Sequence, residues 1–139
     1  MTLNLETIGL FIALIVTGVL FLWLLFRRRT GRVDVKEIRN KWHKIIALTE
    51  HRQEMNYKLA VIEADKLLDY VLQQMGFAGE TTAERLKRAT YKYPELKKVW
   101  WAHKVRNQLL HNHSYHLRYT VARKVLKLFK KALHTLRAL

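Results

Sequence analysis

From Tyr57 to Met75 the apolar residues Tyr57, Ala60, Val61, Ala64, Leu67, Leu68, Val71, Leu72 and Met75 keep an unbroken three-four repeat. Such a repeat lays one continuous stripe along an α-helix and does not fit the alternation of a strand. Gly76 then stands just past the stripe, where helices commonly end in left-handed backbone. A long helix of this kind needs partners for its stripe, and the chain supplies them on both sides. Asp34, with Glu37 in capping-box position, opens a helix through Ile38, Trp42, Ile45 and Ile46 that ends near Thr49. Glu50 to Gln53 fits a turn or a continuation equally well. Thr81 and Glu84 repeat the capping-box form ahead of a short helix toward Tyr91. Pro94 and Glu95 suit the first turn of a further helix through Leu96, Val99, Trp100 and Leu110. The last helix carries Tyr119, Ala122, Val125, Leu126, Phe129, Ala132, Leu133 and Leu136 on one face. The expected fold class is all-α, with a four- to five-helix antiparallel bundle over residues 33–139.

The front of the chain differs. Ile8 to Phe26 carries no charge, and at about 1.5 Å per residue such a stretch matches a hydrocarbon core about 30 Å thick. A secretory signal peptide would need a basic start and a shorter apolar core, whereas the residues before this run include Glu6 and no Lys or Arg. A buried core helix would need more surrounding chain than the remainder provides. The expectation is therefore a transmembrane anchor over residues 1–32. Arg27-Arg28-Arg29-Thr30-Gly31-Arg32 follows it, and the positive-inside rule then puts the N-terminus outside and the C-terminal domain in the cytoplasm as a single-pass membrane protein. Gly9, Ala13 and Thr17, four apart, fit either a close helix–helix seam or ordinary tolerance of small residues.

Among the 139 residues, Lys and Arg number 26 against 11 Asp and Glu, a formal charge of +15, and the last acidic residue is Glu95. Lys104, Arg123, Lys124, Lys127, Lys130, Lys131 and Arg137 all follow it, most of them opposite the apolar face of the last helix. A surface of this kind suits RNA phosphates or an anionic membrane leaflet. Cysteine is absent, which excludes disulfides, thiolate metal sites and a cysteine nucleophile. No Gly-rich phosphate loop or nucleophile elbow is present, and the expected cofactor and metal complement is none. Glu63, Asp65 and Asp69 are expected to be solvated or paired with the many cations.

The chemically richest stretch is Pro94 to His116. His103, Asn107 and His111 stand four apart on one helical ridge with Arg106 beside them, while His113 and His116 follow in a turn. Imidazole moves protons near neutral pH, and a guanidinium grips phosphate oxygens in two-pronged fashion. His103, His113 and His116 are accessory candidates for RNA contact or proton transfer. Trp100 and Trp101 point about 100° apart, so at most one is central core. His43, His51 and His134 are expected to be packed or simply exposed.

Arg106-Asn107-Gln108-Leu109-Leu110-His111 resembles the Arg-x4-6-His motif of the HEPN superfamily of small helical domains, and the run Glu63-Ala64-Asp65-Lys66-Leu67-Leu68-Asp69 resembles an early helix of such domains. The likeness covers roughly Asp34 to Leu139. It implies a metal-independent endoribonuclease in which Arg106 and His111 carry the chemistry and Asn107 supports them, at a cleft between two protomers. On one helix, residues five apart diverge by about 140°, which also points to a homodimer. Members of the superfamily that bind RNA or nucleotides without cutting, or that partner a nucleotidyltransferase or an antitoxin, define the alternative. A basic scaffold lying on anionic lipid is the other.

Overall fold

The computed structural model describes residues 4–26 and 32–139, and it is all-helical there, with no strand. The basic cluster from Arg27 to Gly31 lies outside the described residues. The helices are α1 (Leu5–Phe26), α2 (Val35–Leu48), α3 (Glu54–Gln74), α4 (Thr82–Lys92), α5 (Val99–His111) and α6 (Tyr119–Thr135).

The expectation of a transmembrane anchor is corrected: among the described residues, no helix is long and apolar enough to cross a membrane. The single-pass localisation, with an outside N-terminus and a cytoplasmic remainder, falls with the anchor on which it rested. Every described side chain of α1 from Ile8 to Leu24 is exposed. Along the expected seam, the Thr17 hydroxyl donates to the Ala13 carbonyl at 2.7 Å, and a Cβ at Gly9 would meet nothing within 4 Å.

Helices α2 to α6 form the bundle, and α3 is its centre, packing against α2, α4, α5 and α6. The stripe of α3 explains why: Tyr57, Ala60, Val61, Ala64, Leu67, Leu68, Val71 and Leu72 are all buried. Each neighbour adds one face, with Ile38, Trp42 and Ile45 from α2, Leu86 and Ala89 from α4, Ala102 and Val105 from α5, and Val125, Phe129 and Leu133 from α6. Burial of this much apolar surface is what holds five short helices that would be marginal alone.

Local signals set the helix ends. The Asp34 carboxylate accepts from the N–H groups of Lys36 (2.9 Å) and Glu37 (3.2 Å), while Glu37 itself turns to Lys41 at 2.6 Å. Thr81 Oγ1 accepts from Glu84 N–H, and Glu84 reaches back to the Glu80 N–H, so α4 begins with side chains on both sides of its cap. Gly76, at φ 80°, closes α3: its N–H bonds Gln73 O at 2.9 Å and the Phe77 N–H bonds Leu72 O at 3.1 Å, the paired bonds of a Schellman ending. Between α2 and α3, Thr49–His51 forms a single 3-10 turn that ends at Arg52 in left-handed backbone. Pro94–Lys98 is likewise a 3-10 turn that leads into α5, so the expected Pro94 helix starts tight and relaxes to α at Val99.

Candidate functional site

Two helices bring their polar residues to one place. From α3 comes Asp65, fully buried; from α5 come His103, buried, and Arg106 and Asn107, half-buried. The side chains form a line whose direction is set by its most restricted member. Arginine only donates, so Arg106 Nη1–H bonds Asn107 Oδ1 at 3.0 Å and turns the Asn107 amide toward His103. That amide donates to His103 Nε2 at 3.3 Å, which places the ring proton on Nδ1, and Nδ1–H donates to Asp65 Oδ1 at 2.7 Å. Arg106 Nε also lies 3.1 Å from Asp65 Oδ2, a charge contact off the angle of a hydrogen bond. The result is a ring of four side chains with every donor running toward Asp65. The edge of the Trp100 ring pair packs on it, with indole and imidazole centroids 6.2 Å apart.

Beside this ring opens a pocket of about 480 Å³ lined by Arg106, Asn107, His103, Arg85, Thr81 and Asp69, among others. Its lining holds a second pair, a buried Arg85 and a half-buried Asp69: Arg85 Nε and Nη2 grip Asp69 at 2.7 and 2.9 Å, and Gln73 adds a bond at 2.7 Å. Burial raises the Asp69 carboxyl, but the hydrogen bonds from Arg85 and Gln73 outweigh it and leave Asp69 below the usual carboxylate range. The same pairing, against the cost of burial, holds Arg85 above its ordinary value. Arg85 also donates to the Gly79 carbonyl, fixing the loop that leads into α4. Gly79 is required there, since at φ 150° a Cβ would stand 2.8 Å from Glu84 Cβ and 3.0 Å from the Arg85 nitrogen.

The structure therefore joins Arg106, Asn107 and His103 in one network and leaves His111 apart. His111 is the last residue of α5, exposed, with its side chain free of hydrogen bonds among the described residues. Lys104 and His113 are exposed as well. Arg123, Lys124, Lys127 and Lys130 line a groove between α6 and α2, while Lys131 and Arg137 are exposed outside it. Asp65 and Arg85 are the residues that patterning missed. Asp65 follows Val61 by four and precedes Leu68 by three, so it sits in the apolar row, and an acid there calls for a buried cation. Among the described residues, no three His, Asp or Glu side chains converge in a metal-holding group.

His116 belongs to a different contact. Glu54, in the first turn of α3, accepts from the Leu117 N–H at 2.9 Å, pairs with Lys58 at 3.0 Å and meets His116 Nδ1 at 3.4 Å. It latches the loop after His111 to α3. The Leu117 N–H above all, with Lys58 and His116, lowers the Glu54 carboxyl from 4.5 to about 2. A depressed carboxyl contributes its full share of stability above its ordinary value and loses it as the pH falls toward the depressed one. The Leu117 amide resonance should therefore shift with a midpoint near pH 2, and in Glu54→Gln it should stay flat with pH. A midpoint at 4.5 in the wild type would mean the latch is not formed.

Comparison with known proteins finds no matching family model, no similar curated protein and no similar solved structure. The functional reading rests on the residues themselves.

Proposed function

We propose that the chain is a HEPN-like endoribonuclease that cleaves RNA without a metal ion. The observation that supports this reading is the directed line from Arg106 through Asn107 and His103 to Asp65, which holds a guanidinium and an amide in the lining of the pocket of about 480 Å³. Asp65 and His103 act as positioning residues, because their polar atoms are turned inward. Arg106 faces the scissile phosphate with its remaining N–H groups, and Asn107 orients it.

Proton transfer falls to His111, the imidazole free to meet a substrate. The ribose 2′-oxygen attacks the adjacent phosphorus, the bond from phosphorus to the 5′-oxygen breaks, and a 2′,3′-cyclic phosphate and a 5′-hydroxyl form. The imidazole takes the 2′-proton, water protonates the 5′-oxygen as it leaves, and the imidazolium returns its proton to the hydroxide so formed. Because Arg106 and His111 diverge on one helix by about 140°, the working site joins Arg106 of one protomer with the His111 position of a second copy.

A non-catalytic RNA-binding module is the competing reading, favoured by one detail: His103 Nε2 is already occupied by the Asn107 amide. Incubating the full chain with a mixed RNA pool in excess chelator separates the two. Fragments ending in cyclic phosphate are expected. Intact RNA that remains bound to the protein would select the binding module, and cleavage only on adding a divalent metal would overturn the chemistry.

A further inference from the structure

We propose that the groove between α2 and α6 is a track for a single strand of RNA, leading toward the His-rich end of α5; this extends the ribonuclease reading to how its substrate is held. The groove encloses about 840 Å³, with Arg123, Lys124, Lys127 and Lys130 on its α6 wall and Trp42 and Ile46 on its α2 wall. No acidic side chain lines it. These four cations also lack ion-pair partners among the described residues, in contrast to Lys41, Lys58, Lys66 and Arg85, which are all paired. A charged wall left without counter-charges is suited to an external polyanion.

The form of the groove decides between polyanions. A helix that lies on lipid inserts its apolar face, but the apolar face of α6, from Ala122 through Phe129 to Leu133, is spent in the core. What α6 leaves outside is cationic and concave. Aromatic rings stand with the cations: Arg123 lies 5.7 Å from the Tyr119 ring and Lys124 lies 4.8 Å over Trp101. Tyr119 and Trp101 remain 43% and 40% exposed, which offers unpaired bases a surface to stack on and favours a single strand over a duplex. Tyr119 opens α6 directly after the loop 112–118, so a strand lying from Lys130 to Tyr119, about 16 Å along the helix, runs toward His111.

The test uses the full chain and a fluorescent 2′-O-methyl oligouridine, which lacks the attacking hydroxyl and so reports binding alone. Affinity is measured by anisotropy across a salt series. Four phosphate contacts predict a slope of log affinity against log salt of about −3, at roughly −0.7 per contact on a single strand. Joint replacement of Arg123, Lys127 and Lys130 by Ala should bring the slope close to −1 and weaken binding at least about tenfold at moderate salt. Tyr119→Leu should weaken binding about fivefold or more with the slope unchanged. A control that removes the same charge elsewhere, Lys87, Arg88 and Lys97 to Ala, should leave both nearly as they are. Equal losses in the control would overturn the track, and so would phosphatidylserine vesicles that bind the wild type and are not displaced by the oligonucleotide. If wild type binds through the groove but cuts no RNA, the ribonuclease reading fails and the track stands. If it cuts RNA and the groove variants bind as wild type, the track fails alone.

Discussion

Replacing Asp65 by Ala is expected to lower the stability of the bundle by about 3–5 kcal/mol, the cost of leaving the half-buried Arg106 guanidinium without its counter-charge and the buried His103 N–H without an acceptor. Asp65 is fully buried, and its loss strands both His103 Nδ1–H and the Arg106 guanidinium. The urea midpoint should fall with little change in slope, because the surface exposed on unfolding is unchanged. Replacing Asp65, His103 and Arg106 together by Leu should recover much of that stability, since apolar side chains of similar volume need no counter-charge, while cleavage disappears. A single Asp65→Ala variant as stable as wild type would mean that the ring contributes nothing to the fold.

Arg106→Lys and His111→Ala are each expected to cut the cleavage rate by about a hundredfold or more, the usual cost of removing one transition-state donor or proton carrier. Lysine keeps the charge of Arg106 but loses the planar fork that bonds Asn107 and a phosphate at once. Mixing Arg106→Ala protomers with His111→Ala protomers should restore part of the rate, because a site shared between two copies regains one intact pair. Cleavage that survives the loss of both residues would refute the assignment.

Periodicity and capping chemistry made most of the bundle legible. The α3 stripe, the Asp34 and Thr81 caps and the Gly76 ending depend on residues within a turn of one another, and a single sequence displays those relations directly. What lies opposite a helix is not displayed. Leu110 and Tyr119 continue apolar stripes yet are 43% exposed, because α5 and α6 run past the edge of the core at those ends. The burial of Asp65, expected to be solvated or paired with cations, is hidden for the same reason: its partners are 38 and more residues away, on α5. At the front of the chain the run of uncharged residues alone suggests a span, whereas among the described residues no helix is long and apolar enough to cross a membrane. Within the site, the motif pointed to Arg106, Asn107 and His111, but it gave no sign that an imidazole one turn earlier, His103, would be the one Asn107 bonds.

The carboxylates that hold the later elements in place all belong to α3: Asp69 takes Arg85 of α4, Asp65 takes His103 and Arg106 of α5, and Glu54 takes Leu117 and His116 of the loop before α6. On a ribosome the chain emerges from the N-terminus. Each acceptor is therefore made before the cation or N–H it will receive, and the strongly basic final third, which has no acidic side chain after Glu95, takes the counter-charges it has from a helix synthesised earlier.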